Sequence, residues 1–116
     1  MGKIDFKRIK SGGRHTAVVK LPFEDAAGNV TTEEMRVVYR GVSLHEGAEI
    51  EAEAIAETDQ RTALVNVLAG AVVALPDLVD GDKPVEPTPD FFRTLDTFYL
   101  NRINAAIQQD RQGPNA

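Results

Sequence analysis

The sequence predicts an α+β protein, with an N-terminal β-hairpin or small antiparallel sheet followed by about three helices, the last a long amphipathic C-terminal helix. Three observations carry that prediction. Apolar residues alternate along two stretches, Thr16 to Phe23 and Glu33 to Val42, on either side of AAGN. Apolar and aromatic residues recur at helical spacing from Phe91 to Ile107. The chain has 116 residues, 42% of them hydrophobic and 27% charged, which suits one folded domain rather than a disordered segment. Residues 1–116 are therefore read as a single unit, with 1–14 as a basic arm or edge strand and 111–116 as a frayed tail.

The start, MGKIDFKRIKSGG, lacks the apolar core of a secretory signal, and Ser11-Gly12-Gly13 breaks any regular element. Ile4 to Ile9 is a candidate third strand. HTAVVKLPFED is rich in β-branched residues and predicts a strand from Thr16 to Phe23. Pro22 has no N–H for a ladder, so this strand lies at an edge or ends there. Gly28 and Asn29 tolerate positive φ and supply the turn. In the return strand, EEMRVVYRGV, Met35, Val37 and Tyr39 alternate with Arg36, Val38 and Arg40, giving one buried and one wetter face.

The helical part opens at SLHE, where Ser43 and Glu46 form a capping box. The segment Leu44 to Glu57 is rich in alanine and glutamate, and its narrow apolar face is Leu44, Ala48, Ala52 and Ile55. Thr58-Asp59 caps a second helix, QRTALVNVLAG, with Leu64, Val67, Leu68 and Ala71 on one side and Gly70 as its end. AVVAL fits either a continuation of that helix or a short buried strand, and the strand is favoured. Pro76 to Pro87 is a turn-rich connection, tightest at Asp80-Gly81. Thr88-Pro89-Asp90 is a strong helix start, with threonine as cap, proline at the first position and aspartate at the positive end of the dipole. Phe91, Leu95, Phe98, Tyr99, Arg102, Ile103, Ala106 and Ile107 then predict one continuous amphipathic helix.

Charge and composition exclude several function classes. The net charge is −5, split into +5 over residues 1–20, −8 over 21–60 and −2 over the rest. An acidic chain is a poor general binder of nucleic acid, since phosphate neutralisation needs a positive surface. No cysteine is present, so there is neither a disulfide framework nor a thiolate metal site, and a reducing, cytosolic setting is expected. The longest apolar run, Ala69 to Pro76, is too short to span a bilayer. Asp80 and Asp82 lie near Asp77 and Glu86, but the prolines of DLVDGDKPVEPT obstruct a calcium loop. His15 and His45 have no nucleophile signature nearby, and SGGRHT lacks the spacing and lysine of a phosphate loop. No enzyme, metal or cofactor is expected. Phe91, Phe92, Phe98, Tyr99 and Leu100 span more than one helical stripe, so part of this set is expected to face a partner or another copy of the chain. The partner-binding candidates are Phe91, Phe92, Leu95, Phe98, Tyr99 and Ile103.

The arrangement resembles the tail assembly chaperones of long-tailed bacteriophages. The β-rich half runs through VVYRGVS into an acidic helix. An apolar stretch, Val72 to Leu75, then leads to the Asp80-Gly81 turn, Lys83-Pro84-Val85, the Thr88-Pro89 helix start and a helix closing on Ile103 to Ile107. Many members carry a tryptophan in that apolar stretch, where this chain has VVALPDLVD. The resemblance implies a non-enzymatic helper that binds the tape-measure protein in the host cytoplasm, recruits tail-tube subunits and is absent from the mature virion. In many such phages a ribosomal frameshift near the end of the gene makes a longer product. Gly113-Pro114-Asn115 permits the codons GGC-CCA-AAC, which contain a slip heptamer. The alternatives are a structural tail completion or terminator protein retained in the virion, and a small bacterial adaptor or regulator.

Overall fold

Two long strands set the frame. In the computed structural model, which describes residues 2–4, 13–41, 48–50, 52–53 and 59–112, β1 (Arg14–Glu24) and β2 (Val30–Arg40) pair antiparallel from Arg14↔Arg40 to Glu24↔Val30. Their alternation sends Ala17, Val19 and Leu21, with Met35, Val37 and Tyr39, into the core, as the sequence predicts. The turn is held by Asp25, whose carboxylate accepts the N–H groups of Ala27 and Asn29, each at 2.9 Å. Gly28 supplies the left-handed conformation at φ 86°.

The third strand is β3 (Val72–Ala74), which adds antiparallel to β2 and gives the order β1-β2-β3. It comes from AVVAL, as favoured. The candidate strand Ile4 to Ile9 lies outside the described residues apart from Ile4, which is exposed coil. The Ser43–Glu46 capping box, His45 and Ile55 also lie outside them, while residues 48–50 and 52–53 are helical.

Helix α1 (Gln60–Ala71) is capped by Asp59, which accepts from the Arg61 N–H at 3.0 Å and the Thr62 hydroxyl at 2.8 Å. Its buried residues are Val65, Leu68 and Ala71, so the inward face is rotated from the predicted one: Val65 replaces Val67 and Leu64 is half-buried. Gly70 is not its end. The helix runs one residue further and passes directly into β3, where pairing with β2 takes over the backbone groups. The connection after β3 contains a tight two-strand ribbon, β4 (Val79–Asp80) and β5 (Lys83–Pro84), turning at Gly81 with φ 64°.

The predicted single C-terminal helix is two. α2 (Pro89–Thr94) starts as expected, with the Thr88 hydroxyl oxygen accepting from the Phe91 N–H at 3.2 Å. It stops at Leu95, whose backbone is extended at φ −79°, ψ 145°. Asp96 then caps α3 (Thr97–Gln112), its carboxylate accepting from the Phe98 N–H at 2.9 Å and its carbonyl from Tyr99 and Leu100. The physical reason is packing. With the break, α2 packs against α1 while α3 runs along β1 and also touches α1 and β2. α3 also carries Arg111 and Gln112, which the sequence assigned to the frayed tail. At its far end the Tyr39 hydroxyl donates to Asp110 at 2.6 Å, and the Arg111 guanidinium lies 5.3 Å from the Tyr39 ring. Burial, and then that hydrogen bond, push the Tyr39 phenol up to about 12. The core joins the inner sheet face to Val65, Leu68, Phe92, Leu100, Ile103 and Ile107.

Candidate functional site

The break between α2 and α3 shapes an apolar groove. Leu95 and Tyr99 from the break, Leu78 from the connection, and Leu21, Phe23 and Met35 from the hairpin surround about 180 Å³ floored by Ile103, and the lining presents only apolar surface. Phe23 is 41% exposed at the rim and stacks on Tyr99 with 5.8 Å between ring centroids. Thus β1 supplies one wall because its alternation continues past Leu21 to Phe23, which Tyr99 of α3 covers only in part.

Arg61 on α1 fixes the opposite wall. Its guanidinium donates to the carbonyls of Arg93 at 2.9 Å and Leu95 at 2.6 Å, and to the Thr97 hydroxyl at 2.6 Å. Those carbonyls belong to a helix end, where backbone acceptors lack intrahelical donors. A second clamp holds the connection that carries Leu78. The Asp77 carboxylate accepts the Arg36 backbone N–H at 2.8 Å and pairs with its guanidinium at 2.7 Å. It thereby satisfies the β2 edge where β3 has ended. The side-chain hydrogen bond from Arg36 lowers the Asp77 carboxyl to about 2.

The six predicted partner-binding residues divide. Leu95 and Tyr99 line the groove half-buried, and Phe98 is 46% exposed beside it under the Arg102 guanidinium, 5.1 Å from the ring centroid. Phe91 is half-buried, edge-on to Phe92 at 5.2 Å. Phe92, 0% exposed, is a core residue, which corrects its assignment to a partner surface, whereas Ile103, 2% exposed, is buried yet forms the floor of the groove. Leu100 is likewise fully buried. Leu21, Phe23, Met35 and Leu78 were missed, because the prediction confined the surface to one helix. The hairpin's odd-numbered face, Ala17 to Phe23, was the available signal.

A second cleft of about 270 Å³ lies between Arg40, Ile50, Glu53, Ala63, Asn66, Val67 and Gly70. It explains where Val67 faces, and its lining mixes polar with apolar groups. His15 is exposed, its ring 5.5 Å from that of Tyr39. Among the described residues no three His, Asp or Glu side chains gather as metal ligands, and no helix is long and apolar enough to cross a membrane. In comparisons with known proteins, no protein family, no curated protein and no solved structure matches this chain.

Proposed function

We propose that the protein is a non-enzymatic phage tail assembly chaperone that holds an amphipathic helix of a tape-measure protein in its apolar groove. The groove carries the reading: a preformed slot with an entirely apolar lining, flanked by the exposed rings of Phe23 and Phe98, on a chain of net charge −5. Such a slot suits one apolar side chain of a helix, with neighbouring anchors at i+3 or i+4 meeting the flanking rings. The acidic surface keeps the complex soluble. The resemblance of the Asp80-Gly81, Lys83-Pro84-Val85 and Thr88-Pro89 segments points to the same class, and with it to recruitment of tail-tube subunits, action in the host cytoplasm and absence from the mature virion.

The test begins with the encoding DNA. A slip heptamer over Gly113 to Asn115 and a very long helical reading frame downstream are expected; a clean stop with no tail genes nearby defeats the reading. Co-expression with that downstream product follows. The wild-type chain should keep it soluble and co-purify with it, whereas Leu95→Glu and Phe98→Glu, which place charge in or beside the groove, should release it. Stoichiometric retention in purified virions would instead identify a tail completion or terminator protein. Salt-dependent binding to DNA or RNA would identify an adaptor or regulator.

A further inference from the structure

Among the described residues the first strand presents a long edge with no strand beside it and a defined chemistry. β1 is terminal in the strand order. Which residues face that edge follows from the ladder. The Gly41 N–H donates to the Gly13 carbonyl at 2.6 Å and the Asp25 N–H to the Asn29 carbonyl at 2.9 Å, both continuing the β1–β2 register. Odd-numbered residues of β1 therefore bond toward β2. Arg14, Thr16, Val18, Lys20, Pro22 and Glu24 turn their backbone groups outward. Pro22 falls in this outward set, so its missing N–H costs the hairpin nothing.

We propose that two copies of this chain pair through this edge, β1 against β1, antiparallel about a two-fold axis at Val19, making one continuous sheet. The charges select the register. With Val19 opposite its own copy, Arg14 meets Glu24 of the second copy at both ends, Thr16 meets Pro22, Val18 meets Lys20, and His15 meets Phe23 on the helix side. Within one chain Arg14 stands opposite Arg40 on β2, and Glu24 of the second copy would set an opposite charge beside the Arg14 guanidinium. Lys20 stands opposite Glu34 on β2. A shift by one residue sets inner face against outer. A shift by two either places Lys20 against Lys20 or leaves Glu24 beyond the ladder with Arg14 against Pro22. Val18, 53% exposed in the single chain, gains the aliphatic stem of Lys20 from the second copy as its cross-strand neighbour in the selected register. The weak point is Pro22, which forfeits one hydrogen bond at each end and whose carbonyl already receives the Tyr99 hydroxyl at 3.4 Å. This pairing rests on the backbone and charges of β1; it does not require the groove to be occupied, and it sets His15 of the second copy beside the groove residue Phe23.

Sedimentation equilibrium on the full chain tests it, with amide hydrogen exchange as the site-specific readout. The wild type should show a reversible monomer–dimer equilibrium at micromolar concentrations, with Thr16, Val18 and Lys20 amides slow in the dimer and fast on dilution. Val18→Pro removes an outward N–H without touching the β1–β2 ladder and should weaken association about tenfold or more. Arg14→Glu and Glu24→Arg should each weaken it, and the double swap should restore it. That rescue keeps the test decisive even if Val18→Pro fails to fold. A wild type monomeric at every concentration overturns the proposal, as does a dimer indifferent to the charge swaps. Slow edge amides in a monomer also overturn it, because the edge would then be covered from within the chain.

Discussion

Arg61→Met should lower stability by about 2 kcal/mol, although the residue lies outside the apolar core. The three acceptors of its guanidinium sit within 2.6 to 2.9 Å. A hydrogen bond to a charged group contributes about 1.5–3 kcal/mol, and a typical intramolecular one, whose acceptor water can take over when it is lost, about 0.5–1.5 kcal/mol. Two of the three contacts are exposed and only that to the Leu95 carbonyl is partly buried, so at about 0.5–1 kcal/mol each the sum comes to about 2 kcal/mol. Methionine keeps most of the apolar stem, so the loss reports the polar contacts. Lysine reaches one or two acceptors but has no planar fork, and Arg61→Lys should recover roughly half.

Urea unfolding followed by circular dichroism reads this directly. The midpoint should fall with an unchanged m value, and Tm should drop by about 4 °C for each kcal/mol at this chain length. Because the Leu95 carbonyl is one of the held groups, the groove wall should loosen too, and NMR shifts of Leu95 and Tyr99 should move further than those of Phe92. A Met variant within about 0.5 kcal/mol of wild type would refute the reasoning. It would mean that water satisfies the end of α2 and that Asp96 alone directs the break.

Phe92→Ala should cost about 3–5 kcal/mol in the same assay, because a fully buried ring leaves a cavity between α1 and α2. Tyr39→Phe should cost about 1.5 kcal/mol through loss of the Asp110 hydrogen bond. The phenol titrates near 12 when folded and near 10 when unfolded, so its contribution is complete below about pH 10 and disappears as pH rises through 12. Alkaline unfolding of Tyr39→Phe should lack that component. Asp77 has the opposite sign: its folded pKa of about 2 lies below the unfolded value near 4, so its stabilisation is present above about pH 4 and lost as pH falls through 2. Asp77→Asn should flatten the acid limb of a stability-versus-pH curve in that window.

The hairpin was legible because one residue-by-residue rule governs it. Period-two burial, a turn with Gly28, and Pro22 where no ladder donor is needed agree with one another. Thr88-Pro89-Asp90 was legible for the same reason, since a helix start is written in adjacent residues. The break at Leu95 was not. Phe92, Leu95, Tyr99 and Ile103 keep helical spacing straight across it, and Asp96 reads equally well as an exposed position or a cap. Arg61, far away in sequence, makes the extended Leu95 affordable by taking its carbonyl. The groove was half legible for the same cause: Leu95 and Tyr99 belong to the helical pattern, whereas Phe23 and Leu78 reach it only through the sheet. Phe92 was placed on the wrong side because periodicity identifies an apolar stripe without saying which part of it the rest of the chain covers.

The groove and the β1 edge share a strand, and this fixes a length. In the proposed dimer, Phe23 lies four residues from the two-fold position at Val19 in each copy, in opposite directions. At about 3.3 Å per residue the two groove walls stand roughly 26 Å apart. A partner helix rising 1.5 Å per residue covers that span in about 18 residues. One tape-measure helix carrying two apolar clusters at that spacing should therefore engage both grooves of a dimer and bind more tightly than either cluster alone, by effective concentration rather than by new contacts. Titrating peptides with one cluster, with two at about 18 residues and with two at about 11 separates the possibilities. Tight binding only at the longer spacing, lost with the Arg14→Glu dimer variant, is the expected pattern. Equal affinity for all three would show that each groove acts alone.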